Sequence, residues 1–378
     1  MEENGFKATL VERAASPREG GYVIDFWGVG YDIAERMGIL PDLKALGYNV
    51  EEVRFVDHNG RRVGGFDAKI FKSLANGRYL SLPRGDLASL LYRKIEGRCE
   101  TIFADTITEV EQDEQGVDVT FEHSKPRRFD LLIEAGGLHS VVRKLVFGPE
   151  EHFRRFLGYI AAAFEVKGYQ PRDEAVYVTY ATPGKQVARF AMRDDRTVFL
   201  LVFSTDHPLQ AEPFAGASDK EVLHQQFDRE GWECRRILAT LDTCDELYLD
   251  EVTQIHMNTW SQGRVALVGD AAFCPSLLAG QGSALAMMAA YVLAGELSKR
   301  KDNPEAAFEH YARFLRYFIL EKQAAAEQFA SSFIPQTRFD LFVRNQITKA
   351  FSIPFVARLT MGRMVVDRIG LPIYSVCN

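Results

Sequence analysis

The segment that most constrains this chain lies between residues 264 and 297, where a strand, an acidic residue, a glycine loop and a helix follow one another. The apolar run 265–268 has the length of a buried strand and ends at Gly269-Asp270, and residues 283–297 are rich in alanine and methionine, which favour a helix. Loop glycines let a ligand approach the backbone, and a helix start offers unpaired N–H groups. The segment predicts a site for a phosphate-rich or polyol cofactor, with Asp270 accepting a hydroxyl. The alternative is an ordinary strand-loop-helix unit of an α/β protein.

The full string after the strand carries a family resemblance. It reads GDAA and continues through Pro275 to Gly280-Gln281-Gly282. This string resembles the second flavin motif of class A flavoprotein monooxygenases, the p-hydroxybenzoate hydroxylase-like enzymes, and is closest in look to aromatic polyketide hydroxylases and tetracycline-inactivating monooxygenases. In that family the Asp binds the ribityl chain of FAD, and the helix start faces the flavin. The resemblance implies that Asp270, Pro275, Gly280, Gln281 and Gly282 bind FAD.

Three further segments extend the resemblance. The residues VERA, at 11–14, match the family's ribose-binding segment and imply cofactor contacts for Glu12 and Arg13. In the tetracycline-inactivating branch, an Asp at the position of Asp25 contacts the flavin, and an Arg at that of Arg18 lies near the nicotinamide donor. Arg84 opens RGDLxxLL, where the family Arg contacts the cofactor, and its planar guanidinium suits phosphate and ribityl oxygens. Taken alone, each of these charges would be an ordinary surface residue.

Residues 134–144, EAGGLHSVVRK, depart from the family pattern G-A-D-G-x-x-S-x-V-R. Glu134 stands where the pattern has its first Gly, and Gly136 stands where it has the Asp that helps bind the nucleotide. Gly137, Ser140 and Arg143 match the pattern. The departure favours an alternative function, a non-catalytic or flavin-deficient member of the family that acts as a binding protein.

A second departure concerns the start of the dinucleotide-binding fold. The glycine-rich G-x-G-x-x-G loop should precede the ribose acid by about 20 residues, but the sequence has only eleven residues before Glu12. We therefore expect the first strand and its loop to be missing, which would leave two inner strand edges unpaired or force them together. A gene start placed too late or a truncation, a decayed copy, and a rearranged sheet would each explain this. We favour the first.

Composition excludes several other classes of protein. The 378 residues carry a formal net charge of −7 without a long basic tract, which gives no support for a nucleic-acid partner. No apolar run reaches the length of about 18 residues that a membrane helix needs. The five cysteines have no zinc spacing or close pairing, so we expect reduced thiols in a cytoplasmic protein without a metal site. The histidines His207, His224 and His256 are isolated, and no side chain is assigned as catalytic.

The predicted fold is α/β: a doubly wound FAD-binding domain, shortened at its N-terminus, is interleaved with an antiparallel substrate sheet and followed by C-terminal helices. The FAD-binding domain is predicted at 1–50, 83–150 and 261–300, the substrate domain at 51–82 and 151–260, and the helical region at 301–378. Single elements include a strand at 99–110 and helices at 220–241 and 303–333. An apolar stretch, 351–361, has a membrane-surface or partner-helix interpretation as its alternative.

The resemblance implies an FAD-dependent monooxygenase that uses NAD(P)H and O2 to oxidise an organic, aromatic or polycyclic small molecule. The flavin would supply the difficult chemistry, and the protein would supply position and a dry pocket. This explains why no catalytic triad or metal cluster is needed. We expect a monomer or homodimer whose partner is its small-molecule substrate. A flavin-dependent halogenase ranks lower, because the sequence lacks a W-x-W-x-I motif.

Overall fold

A computed structural model describes residues 1–17, 22–244, 246–351, 367 and 369–374 of the chain. The strands, in chain order, are β1 (Thr9–Glu12), β2 (Val23–Trp27), β3 (Glu52–Val56), β4 (Arg62–Asp67), β5 (Tyr79–Pro83), β6 (Glu100–Phe103), β7 (Ile107–Gln112), β8 (Val117–Phe121), β9 (Arg127–Phe129), β10 (Leu132–Glu134), β11 (Arg154–Lys167), β12 (Val176–Thr182), β13 (Lys185–Ala191), β14 (Arg196–Ser204), β15 (Leu247–Ile255), β16 (Ser261–Gln262) and β17 (Val265–Leu267). The helices are α1 (Val29–Arg36), α2 (Leu40–Leu46), α3 (Lys69–Leu74), α4 (Arg84–Ile95), α5 (Val141–Phe147), α6 (Asp219–Phe227), α7 (Cys234–Leu241), α8 (Asp270–Phe273), α9 (Gly282–Lys299), α10 (Pro304–Phe333) and α11 (Arg338–Ala350).

The largest sheet has seven strands in the order β15-β11-β14-β13-β12-β3-β4. Its strands pair antiparallel except for β12 and β3, which run parallel. One face packs on α6 and α7 in a buried apolar core that includes Val187, Leu201, Leu223 and Ile237. An antiparallel sheet with one covered face has apolar residues alternating with polar ones along its strands. The opposite face is therefore left to other parts of the chain.

Outside the seven-stranded sheet, parallel pairing occurs in two further groups of strands in the part of the chain that the structure describes. β1 pairs with β6, and β10 pairs with β17, which also pairs with the short β16. Val11 of β1 packs against the same apolar cluster as Leu132 of β10 and Val265 of β17. The pair β1-β6 and the group β10-β17-β16 are separate sheets. The α/β fold class itself is confirmed.

A central helix, α9, joins the parallel strands to the helices around them. Its buried residues include Leu285, Met288 and Val292, and it packs on both α1 and α10. The approach of α1 is close, because a Cβ placed on Gly30 would lie 2.6 Å from the Cβ of Ala284. A helix that is apolar on all sides is a buried helix. The glycine loop ends where α9 begins, at Gly282, and is therefore anchored to the core.

Two predicted elements are broken in the structure. The helix expected at 220–241 is two helices, α6 and α7, because the chain turns at Gly231 and at Trp232, whose φ of 55° is left-handed. The strand expected at 99–110 is β6 and β7, separated where Ala104 has a φ of 52°. In both places a local turn, with no glycine or proline at the positive-φ residue, overrides the propensity of the flanking segments.

Two other predictions lie outside the described residues. They concern Arg18 and the stretch 351–361, most of which is not among the described residues, so both stay predictions. Among the helices that are described, none combines the length and the apolar character needed to cross a membrane.

Candidate cofactor site

The carboxyl group of Asp270 lies at the start of the central helix α9. The fully buried strand β17 ends before Gly269, whose φ of 64° turns the chain into α8. A Cβ on Gly282, the first residue of α9, would be 3.5 Å from Oδ1 of Asp270. The glycine thus leaves space beside the carboxyl group at the positive end of an 18-residue helix. Burial raises the pKa of Asp270, and Arg84 opposes that shift.

Arg84 is brought to this carboxyl group from a distant part of the sequence. It is the first residue of α4, its side chain is exposed, and its guanidinium lies 5.9 Å from the ring of Tyr22. The Tyr22 ring is 6.0 Å from that of Tyr248 on β15, and burial raises the pKa of Tyr22 to about 12. An exposed cation that acts on a partly buried acid, beside two phenol rings, can bind an anionic or hydroxyl-bearing ligand. The two tyrosines were not predicted from the sequence.

Asp25 belongs to a polar face of the two-stranded ribbon formed by β2 and β5. Its Oδ1 accepts hydrogen bonds from the Tyr79 hydroxyl at 2.7 Å and from Ser81 Oγ at 2.5 Å. Burial raises the pKa of Asp25, while both hydrogen bonds act to lower it. Sequence reasoning missed Tyr79 and Ser81. The sequence indicates only that Tyr79 and Ser81 share one face of a strand, because alternate residues do. Their position opposite Asp25 is set by the register of β2 with β5.

The loop between α8 and α9 contacts this ribbon. Gly280 has a φ of 65°, and a Cβ there would lie 3.7 Å from the ring of Trp27. The carbonyl oxygen of Pro275 accepts a hydrogen bond from Gln254 Nε2 at 3.0 Å, and Gln281 is buried at the N-cap of α9. Ser276, with a φ of 110°, is a strained non-glycine residue, a feature that clusters at ligand sites.

Glu12 and Arg13 stand apart from these residues. Glu12 ends β1, and its Oε1 accepts a hydrogen bond from the backbone N–H of Ala14 at 2.7 Å. The side chain of Arg13 is exposed. Neither residue shows a contact with Asp270, Arg84 or Asp25 in the described parts of the chain.

Among the described residues, no group of three or more His, Cys, Asp or Glu side chains is placed to hold a metal ion. Cys274, next to the glycine loop, is buried, and burial raises the pKa of its thiol. A buried neutral thiol is a packing group rather than a nucleophile.

A family model described as an FAD-binding domain matches residues 2–311 of the chain. The chain belongs to this FAD-binding family. It is therefore a flavoprotein of the monooxygenase type, and FAD is its cofactor.

Relatives of similar length support this assignment. A flavin-dependent monooxygenase from an unknown prokaryotic organism is 32% identical over 372 residues, covering 98% of this chain and 93% of the relative. A flavin-dependent monooxygenase of Legionella longbeachae is 30% identical, with the same coverage of 98% and 93%. The crystal structure of tetracycline destructase Tet(55) is 29% identical with a TM-score of 0.82, covering 99% of this chain and 94% of that one. Klebsiella pneumoniae HpxO, crystallised with FAD and uric acid, shares the fold at 21% identity, with a TM-score of 0.71 and 95% of each chain covered.

The residues around Asp270 fit an FAD molecule. The space beside Gly282 would be filled by any side chain, the first N–H groups of α9 have no acceptor within the helix, and Arg84 adds a cation close by. A carboxylate accepts hydroxyl hydrogen bonds, whereas N–H groups and a guanidinium bind oxygens that carry negative charge. FAD contains both kinds of group.

Proposed function

We propose that the chain is a monooxygenase that uses NAD(P)H and O2 to insert one oxygen atom into an organic, aromatic or polycyclic small molecule. The observation that carries the proposal is the Asp270 carboxyl group, held beside Gly282 at the start of α9 with Arg84 close by. When bound, FAD supplies the redox and oxygen-transfer chemistry. The residues of the chain bind it, orient it and exclude water.

We propose a role for each site residue predicted from the sequence. Asp270 accepts hydroxyls of the ribityl chain, and the backbone of the loop 275–282 lies against the flavin. Arg84 contacts oxygens of the cofactor, and Glu12 with Arg13 contacts the adenosine ribose. Asp25 faces the flavin from the β2–β5 ribbon. Arg18 stays a predicted contact of the nicotinamide donor.

An aromatic surface supports the substrate class. The rings of Phe71 and Tyr79 are stacked at 5.7 Å, and Trp27 lies 6.2 Å from Tyr79. Trp27 and Tyr79 are on the same ribbon as Asp25, and Phe71 belongs to α3. A Cβ on Gly280 of the glycine loop would lie 3.7 Å from the Trp27 ring. Flat aromatic molecules pack favourably on such surfaces. The relative named tetracycline destructase points to a polycyclic aromatic substrate as well.

We also propose the division of the chain and its setting. The FAD-binding domain comprises 1–50, 83–150 and 261–300, the substrate domain 51–82 and 151–260, and the helical region 301–378. The protein acts in the cytoplasm as a monomer or homodimer on a small molecule. The non-catalytic alternative receives no support from the relatives, which are monooxygenases.

Substrate-dependent oxygen transfer is the test of this function. The purified protein, loaded with FAD, is supplied with NADPH or NADH and a panel of phenols, polyketides and tetracyclines under isotopically labelled O2. We expect one panel member to accelerate NAD(P)H oxidation and to gain one labelled oxygen atom by mass spectrometry. Oxidation of NAD(P)H that yields only hydrogen peroxide with every member would contradict the proposed substrate class.

A further inference from the structure

Glu134, the last residue of β10, bends over the loop that follows it. Its Oε1 accepts hydrogen bonds from Ser140 Oγ at 2.6 Å and from the backbone N–H of Gly136 at 3.1 Å. A Cβ placed on Gly136 would lie 2.3 Å from that oxygen. The carboxylate therefore occupies the space that any side chain at residue 136 would need.

The carboxylate lies next to the loop that begins with Asp270. The backbone carbonyl of Glu134 accepts a hydrogen bond from the N–H of Val268 at 2.9 Å, two residues before Asp270. Glu134 and Leu267 are register partners in the parallel pair β10–β17. Ligands of doubly wound sheets bind at the carboxyl ends of such strands, and Glu134 ends its strand there.

A hydrogen-bond network ties the two loops together. Ser140 Oγ accepts a hydrogen bond from the N–H of Arg143 at 2.9 Å, which caps α5. The Arg143 side chain is completely buried and donates to the carbonyl of Ala271 at 3.0 Å. The network uses only Oε1 of Glu134.

The second carboxylate oxygen, Oε2, receives no hydrogen bond from the residues that the structure describes. Oε2 lies 3.7 Å from the Cβ position of residue 136. The Glu134 side chain is partly buried, and burial raises its pKa. A partly buried acceptor gains free energy when a donor reaches it. An ionised pyrophosphate has only acceptors and would be repelled, whereas the hydroxyls, the adenine amino group and the flavin N3–H of FAD can donate. The hydroxyls are the donors proposed for Asp270, and the hydrogen bond from Val268 places Glu134 next to the loop that begins with Asp270.

We propose that Glu134 is a cofactor-binding residue, whose Oε2 accepts a hydrogen bond from a hydroxyl group of FAD while its Oε1 holds the loop of residues 135–140. The inference rests on the proposed function, because it requires FAD at the Asp270 site. It assigns a cofactor contact to a residue that stands where the family pattern has a glycine.

Glu134→Gln separates the two roles. The amide oxygen of Gln can still accept from Ser140 and Gly136, but an NH2 donor replaces Oε2. We expect the Kd for FAD, measured by quenching of flavin fluorescence, to rise about tenfold to a hundredfold, the loss typical of one hydrogen bond to a charged group. The midpoint of thermal unfolding of the FAD-free protein should stay unchanged. A matched control is Asp113→Asn, in a turn away from this site. There the carboxylate accepts hydrogen bonds from the backbone N–H groups of Gln115 and Gly116. This variant should leave the Kd for FAD unchanged.

Moving the carboxylate provides a second test. Gly136→Asp alone places a Cβ 2.3 Å from Oε1. It should displace the Glu134 carboxylate and weaken FAD binding. Glu134→Ala alone should also weaken binding. The double variant Glu134→Ala with Gly136→Asp restores one carboxylate and removes the clash, so we expect FAD affinity to recover most of the loss.

The outcomes distinguish this inference from the function on which it rests. A Glu134→Gln variant that binds FAD as tightly as the unaltered protein would overturn the inference and leave the proposed function standing. A double variant no better than the two single variants would also count against it. An unaltered protein that binds no FAD would overturn the proposed function and this inference with it.

Discussion

Among single residues, Asp270 has the environment that bears most directly on cofactor binding. Its raised pKa shows that burial penalises the charged form before a ligand arrives, and Arg84 offsets only part of that penalty. A group with this environment costs stability in the free protein and regains it by accepting hydroxyl hydrogen bonds. Functional sites often carry such a cost.

Asp270→Asn should therefore separate stability from cofactor binding. We expect the FAD-free variant to unfold at the same or a higher temperature near neutral pH, because no buried charge remains. Its Kd for FAD should rise about tenfold or more, since a charged acceptor is lost. Thermal unfolding and a fluorescence titration measure the two effects. Asp130→Asn, at an exposed side chain, is the control. Equal FAD affinity in Asp270→Asn and the unaltered protein would contradict the assignment.

At the scale of elements, the contact of α1 with α9 allows no side chain at Gly30. A Cβ there would lie 2.6 Å from Ala284 and 3.0 Å from the ring of Phe26, both buried. Gly30→Val should lower the free energy of unfolding by about 1–3 kcal/mol, the usual cost of an overpacked core. Urea unfolding gives the value. Gly370→Ala, where a Cβ would meet nothing within 4 Å, should change little. A stable Gly30→Val protein would mean that α1 moves away easily.

A second contact between elements depends on pH. His139, in the loop after β10, is hydrogen-bonded through Nε2 to Asp250 of β15 at 3.0 Å and through Nδ1 to Glu150 at 3.3 Å. The hydrogen bond with Asp250 is the largest cause that raises the pKa of His139, and Glu150 adds to it while also binding Arg143. A raised pKa contributes stability below the ordinary histidine value of about 6.5, and that contribution is lost as the pH rises through the folded-state value.

His139→Gln should therefore lower the unfolding midpoint in mildly acidic buffer and have little effect in mildly alkaline buffer. We expect a contribution below about 1 kcal/mol, because the histidine is half exposed. Unfolding curves of both proteins at the two pH values provide the measurement, with the exposed His207→Gln as control. The same difference at both pH values would show that the histidine acts by packing and not by charge.

The elements that the sequence predicts well are those with a local signal. The α9 helix and the strand before it follow from an apolar run and a glycine loop, and both lie within two residues of their predicted ends. The helix expected at 220–241 fails because Trp232 donates its N–H to the carbonyl of His58, a partner far away in the sequence. A turn that depends on a tertiary partner leaves no periodicity to find.

The same limit applies to the site at the scale of the whole molecule. Two separate motifs predicted Asp270 and Arg84, and the charge of Arg84 acts on the pKa of Asp270. Tyr79 and Ser81 were missed, because their link to Asp25 depends on the pairing of β2 with β5. Glu134 was identified only as a departure from a pattern, since a sequence does not reveal that its carboxylate lies over Gly136. Contacts between side chains of different elements depend on the tertiary structure, so the sequence alone does not predict them.

Retention of FAD by the purified chain shows whether the site around Asp270 binds the cofactor. The protein is mixed with excess FAD and passed through a gel-filtration column, and the visible absorbance of the protein peak is recorded for the unaltered chain and for Asp270→Asn. We predict flavin absorbance that co-elutes with the unaltered protein and falls strongly in the variant. A colourless peak for the unaltered chain, with all FAD in the small-molecule fraction, would contradict the account.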